Sequence, residues 1–254
     1  MARPTVEHSL YLGFVALFAI LLGLSFLPGA NASAFHVVNA WGMGLERPWA
    51  GVNLLGDTLV TVSLFLPFVW RRPQLVWAAV VSALFATLVV HGLKPLLAWP
   101  RPLAVLPADT VHVIGHALRS NAFPSGHTAS VATAAGALAL ALRAPWWGVL
   151  LAAAVAVLVG LSRSVVGAHW PQDVAAGLLV GWTAAWFGVR VATRWPVNRT
   201  WGQPIMALLL IGCLVQLYGF DGGYPEGRWV LVPVVLWAVL GSAWVLWRAN
   251  RRPR

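Results

Sequence analysis

The sequence predicts an all-α fold, a polytopic bundle of about eight membrane-spanning helices, and three observations carry that expectation. Of 254 residues, 59% are hydrophobic and 9% charged, with a mean hydropathy of +0.77, whereas a soluble domain carries about 25% charged residues. Eight apolar runs reach, or nearly reach, the roughly 17–25 helical residues that a hydrocarbon core requires. The runs are continuous rather than alternating, which disfavours a β-barrel. The third observation is that the cations fall mainly between alternate runs, as topology signals do.

The first run, 10–27, competes with a secretory signal because Ala30-Asn31-Ala32 and Ala32-Ser33-Ala34 resemble cleavage sites. Its length exceeds the about 7–15 residues of a signal core, and Arg3 is offset by Glu7, so a retained anchor is expected. The second, 51–70, holds Asp57 roughly 9 Å from its start at 1.5 Å per residue. That carboxylate is either a partner for Lys94 or His91 or a hydrogen-bonded packing group. The third, 75–93, ends in Lys94, the only lysine beside sixteen arginines. The fourth, 125–142, opens with Phe123-Pro124-Ser125-Gly126-His127. The fifth, 146–161, runs out into Ser162-Arg163, and the sixth, 174–189, follows His169-Trp170-Pro171-Gln172-Asp173. The last two, 204–220 and 229–247, form a hairpin without charge in its apolar core and read as packing or oligomer contact. Cys213 reads as a buried, inert thiol.

The net charge of +10 does not call for nucleic acid. With both termini in the cytoplasm, Arg3, Arg71, Arg72, Arg143, Arg190, Arg194, Arg199, Arg248, Arg251, Arg252 and Arg254 lie on the cytoplasmic side, as the positive-inside rule asks. Arg47, Lys94, Arg101, Arg119, Arg163 and Arg228 lie at or near the outer side and need another explanation. The outer connections are 28–50, 94–124, 162–173 and 221–228. The second is the longest and, with little acid, is expected to be a packed cap.

Four outer span ends thus hold ionisable groups at one membrane level, where such groups are functional candidates. Lys94, Arg101 and Arg163 suit a phosphate, arginine as a fork and lysine as a point charge. Ser125-Gly126-His127 opens a helix whose free N–H groups add donors, and Gly126 permits close backbone approach. His169 and Asp173 stand four apart, on one face of a helix that Pro171 would start. The carboxylate would fix the imidazole tautomer and leave the other nitrogen as nucleophile. His127 would protonate the leaving oxygen. Metal-dependent hydrolysis needs clustered acids, but the seven acids are scattered and only Asp173 stands among the motif histidines. No metal and no cofactor is therefore expected.

Lys94-x6-Arg101-Pro102, Pro124-Ser125-Gly126-His127 and Ser162-Arg163-x5-His169-x3-Asp173 resemble the three signature motifs of the type 2 phosphatidic acid phosphatases, a superfamily that includes vanadium haloperoxidases. The resemblance implies a six-span core over residues 1–193, with motifs at 94–173 and residues 194–254 as an additional hairpin and basic tail. It implies that His169 is the nucleophile, Asp173 its orienter and His127 the general acid. Lys94, Arg101, Ser125, Gly126 and Arg163 then hold the phosphate, without a metal. The expected activity is a lipid phosphatase of a bacterial inner membrane, facing the periplasm, whose partners are the bilayer and a lipid phosphate. Undecaprenyl diphosphate is the first substrate, with phosphatidic acid, phosphatidylglycerophosphate and lipid A phosphates as others. A phosphotransferase passing the group to lipid A is an alternative, and a non-enzymatic anion-binding protein or transporter is another. Outside the motifs, His91 reads as a satisfied interfacial group, His112 and His116 as loop residues, and Trp99 and Trp170 as residues that could line a lipid entrance.

Overall fold

Helix α1 (Val6–Ser25) leads into α2 (Ala30–Ala40) and then into α3 (Glu46–Leu54) and α4 (Thr58–Ser63). The computed structural model describes residues 6–251. Arg3, Arg252 and Arg254, assigned above to the cytoplasmic side, lie outside the described residues. The chain continues through α5 (Pro73–Leu97), the short α6 (Pro102–Val105), α7 (Gly126–Ala141), α8 (Trp146–Val165) and α9 (Pro171–Arg194). It ends with α10 (Gly202–Gln216) and α11 (Leu231–Asn250).

Each of the eight apolar runs is helical over most of its length, but their reach differs from expectation. Among the described residues five stretches are long and apolar enough to cross a membrane, and a sixth is counted if α3 and α4 form one bent span. The remaining two, α7 with 16 residues and α10 with 15, are shorter. The run at 51–70 is not one straight helix. It breaks between Leu54 and Thr58 with a bend of 61°, and Asp57 restarts it by accepting the Leu59 N–H at 2.8 Å, a side-chain cap. The connection at 28–50 is also not a loop, because α2 and the first turn of α3 occupy most of it. Helices α5 and α8 run past their expected ends, so Lys94 and Arg163 stand in last helical turns rather than in loops.

Helix α9 is the centre of the bundle, packed by α1, α5, α7 and α8. In lipid no hydrophobic force drives helices together, so close packing of small residues and buried hydrogen bonds must do it. Gly177 and Gly181 form such a seam: a Cβ on Gly177 would fall 2.7 Å from Ser125 O and 2.8 Å from Thr128 Cβ, and one on Gly181 would meet α7 backbone. Beside this seam Tyr11 stacks on Trp182 with centroids 4.6 Å apart, and its hydroxyl donates to Trp182 O at 2.7 Å. Leu88, Leu208 and Leu240 point outward and are more than half exposed, as lipid-facing side chains are.

The segment between α5 and α7 packs as a cap, burying Leu103, Val111, Ile114 and Ala122. Asn39 of α2 locks it down. Its Nδ2 donates to His112 O, Ser164 O and Val165 O, and its Oδ1 accepts the His112 N–H. The last carbonyls of α8, next to Arg163, are thereby satisfied. Arg119 donates to Leu103 O at 2.8 Å, which gives one of the unexplained outer cations a structural place.

Candidate active site

His169 and Asp173 meet, but not on one face of a helix. Helix α9 starts at Pro171, so His169 precedes it. Asp173 lies in the first turn and its carboxylate folds back over the helix start. There Oδ2 accepts the Trp170 N–H at 2.9 Å and lies 3.2 Å from His169 Nδ1. One oxygen thus caps the helix and orients the ring. With Nδ1–H donated to Asp173, His169 Nε2 carries the lone pair, and Arg101 Nη1 stands 3.2 Å from it. Both residues of the pair are essentially fully buried. Burial first, then the cations Arg101, Arg163 and Lys94 and the neighbouring His127, hold His169 well below its ordinary pKa. Burial and these cations thus favour the neutral form of the ring.

Arg101 is fixed by the cap. Its Nε donates to Ser120 O at 2.7 Å and its Nη1 to Ala168 O at 2.8 Å. Arg163 joins the same corner through its main chain, because its carbonyl accepts the N–H groups of both Ala168 and His169 at 3.0 Å. Ser125, fully buried, is the N-cap of α7; its backbone N–H donates to Asp173 O at 3.0 Å, tying the second motif to the third. Its Oγ accepts the Thr128 hydroxyl at 2.8 Å, which leaves the serine proton free to be donated elsewhere.

Lys94, Gly126 and His127 face a cavity of about 480 Å³. Beyond them its walls are mainly apolar: Val80, Ala83 and Val90 of α5, Ala129 of α7 and Leu209 of α10. A Cβ on Gly126 would touch only Val90 Cγ1 at 3.8 Å. Protein packing does not demand glycine there; it keeps the cavity floor open. His91 also lines the cavity, with Nδ1 3.1 Å from Thr87 O. Cys213 does too and is half-buried, not enclosed as expected. Trp99 and Trp170 do not line this cavity. Trp170 donates to Pro100 O and packs on Phe35, and Trp99 packs on Phe123, so both brace the cap.

Asp57 resolves the alternatives left by the sequence. It is the hydrogen-bonded group, capping α4 through the Leu59 N–H, and its Oδ2 lies 3.8 Å from His127 Nε2 rather than against Lys94 or His91. Gly56 lets the broken span come this close, since a Cβ there would fall 2.9 Å from Val159 Cγ1 and 3.2 Å from His127 Cβ. Among the described residues His127 Nε2, Asp173 Oδ1 and Arg163 Nε are buried at the site without a hydrogen-bond partner. Asn53, which holds Arg163, was missed in the sequence, although a lone amide in an apolar run is a recognisable signal. His112 pairs with Glu46 at 3.3 Å and is a cap residue.

The site thus gathers the pinned His169, His127 and three cations within electrostatic reach of one another; Lys94 and His127 line the cavity, whereas His169, Arg101 and Arg163 stand outside its lining. Comparison with known proteins gives the same direction. The model of the PAP2 superfamily matches residues 75–199, a segment that contains all three motifs. The lipid A 1-phosphatase of Rhizobium etli is 41% identical over 177 residues, covering 58% of this chain and 72% of that protein. The undecaprenyl-diphosphatase of Sulfolobus acidocaldarius is 30% identical over 140 residues, 55% of this chain and 66% of that protein, just under two thirds of its length. Among solved structures, Aquifex aeolicus LpxE superposes with a TM-score of 0.57 at 27% identity, over 63% of this chain and 94% of that one. With the motifs gathered in one site and a 41% identical relative covered over more than two thirds of its length, the chain belongs to the PAP2 superfamily.

Proposed function

We propose that this protein hydrolyses a lipid phosphate or diphosphate through a phosphohistidine, without a metal, at the periplasmic face of a bacterial inner membrane. The observation that carries the reading is a pinned imidazole within electrostatic reach of Lys94 and His127, which stand with Gly126 at one end of a mainly apolar cavity. The phosphate would sit at the polar head and the lipid chain along α5, α7 and α10. His169 Nε2 attacks phosphorus while the bond to the leaving oxygen breaks, and His127 gives that oxygen its proton. A water then attacks phosphorus and passes its proton to His127 while the bond from phosphorus to His169 Nε2 breaks, which releases phosphate and frees His169. Lys94, Arg101, Arg163, the Ser125 hydroxyl and the Gly126 N–H hold the phosphoryl oxygens as charge builds, the role of an oxyanion hole.

The reading includes eight crossings, with α3–α4, α7 and α10 each counted as one, and both termini cytoplasmic. Residues 1–193 form the catalytic core and 194–254 the added hairpin. Arg71 and Arg248 both stack on Trp244, at 5.8 and 4.0 Å; this supports one arginine-rich end, as the topology requires. An isoprenoid carrier diphosphate such as undecaprenyl diphosphate is the first substrate. Lipid A 1-phosphate is the second reading, favoured by the identity with the Rhizobium protein.

Phosphate release by the purified protein from a panel of lipid phosphates, in EDTA and beside His169→Ala, tests this. We expect turnover in EDTA and its loss in the variant. Undiminished turnover by His169→Ala would remove the nucleophile, and loss in EDTA would remove the metal-free mechanism.

A further inference from the structure

Arg163 is assigned to the phosphate, yet nothing between residues 75 and 199, the segment matched by the family, holds its guanidinium in place. Two groups from elsewhere in the chain do. Nη1 donates to Asn53 Oδ1 of α3 at 2.6 Å and to the Tyr224 hydroxyl at 3.0 Å. Tyr224 lies in the turn between α10 and α11, the hairpin that the sequence marks as an addition. All three residues are buried.

These two bonds use both protons of Nη1. Among described residues no acceptor meets Nη2, and Nε is buried without a partner. The free edge is thus Nε with Nη2, two parallel donors with the spacing that matches two oxygens of one phosphoryl group. A guanidinium turned the other way would spend that edge on protein.

The turn and α3 interlock, so the two acceptors arrive as a unit. Trp229 lies against Gly51, and its Nε1 donates to Arg47 O at 3.3 Å; Gly227 sits on the Ala50–Gly51 backbone. On the other side Tyr224 packs against Gly115 of the cap, and its N–H is held by Asp221 O at 2.8 Å.

We propose that the C-terminal hairpin is part of the catalytic apparatus: Tyr224, with Asn53, is a positioning residue that presents the Nε–Nη2 edge of Arg163 to the phosphoryl group. This rests on the assignment of Arg163 to the phosphate, and the test separates the two. The full chain in nanodiscs is titrated with inorganic orthovanadate, a mimic of the five-coordinate transition state, by calorimetry, with thermal melting in parallel. Tyr224→Phe removes one oxygen and keeps the packed ring. We expect it to raise the vanadate Kd about tenfold, the scale of a hydrogen bond to a charged group, with an unchanged melting temperature. In an Arg163→Ala background the same change should have no effect. An unaltered Kd for Tyr224→Phe, or the same factor in both backgrounds, would overturn the inference while leaving the phosphate site intact. An unaltered Kd for Arg163→Ala would instead overturn the assignment of Arg163 on which it rests.

Discussion

The site contains two histidine–carboxylate pairs, and they are built differently. His169 and Asp173 are 3.2 Å apart with side-chain exposures of 2% and 0%, whereas His127 and Asp57 are 3.8 Å apart at 25% and 18%. Asp173 belongs to the helix that follows its histidine and is anchored by the Trp170 N–H. Asp57 comes from a break in another helix and is anchored by the Leu59 N–H. The difference fits the two duties proposed for these histidines. A nucleophile must keep one nitrogen unprotonated and aimed, which a tight, dry hydrogen bond enforces. A general acid must give up a proton and take one back from water, so it needs a partner that polarises it without sealing it off.

Substitutions can break or sharpen that contrast. The largest effect is expected for Asp173→Asn, which puts an amide where a carboxylate fixes the tautomer; a change of this kind in a triad lowers kcat about 10⁴-fold. Measured turnover within tenfold of the parent would mean that helix capping, not tautomer control, is the work of Asp173. His127→Ala should cost roughly 10²–10⁴-fold on a lipid phosphate. With p-nitrophenyl phosphate, whose leaving group needs little help from an acid, the deficit should shrink sharply. An equal deficit on both substrates would deny His127 the role of acid. The smallest effect belongs to Asp57→Asn, because a partly solvated pair contributes about 0.2–1 kcal/mol, or up to about fivefold in kcat. Asparagine still caps α4, so the melting temperature should hold. The Asp57 effect should disappear when His127 is already alanine; persistence there would place Asp57 outside the proton path.

The three motifs made most of the site legible in advance. Residue type and order along the chain imply a phosphate cradle and its histidines before any coordinates are drawn, because a charge at membrane depth has few other uses. Less visible was how the pieces are held. The spacing of His169 and Asp173 suggested a shared helical face, but Pro171 starts the helix after His169 and the contact is made by a carboxylate folding back. Asp57 was legible as a polar group in an apolar run and not as the partner of His127, since that depends on a bend of 61°. Cys213 looked buried because its helix is apolar all round, yet one face of that helix walls the cavity.

The sequence by itself determined the membrane class, the helical runs, the family motifs and the residues proposed to meet a phosphate. Composition, periodicity and short-range spacing are local properties and survive without a fold. Only the tertiary structure decided which groups serve those residues. The Asn53 and Tyr224 contacts to Arg163 span 110 and 61 positions, and the Asp57 contact to His127 joins separate helices. Such pairings follow from how helices bend and pack, and a lone asparagine or tyrosine in an apolar chain carries no mark of the partner it will find.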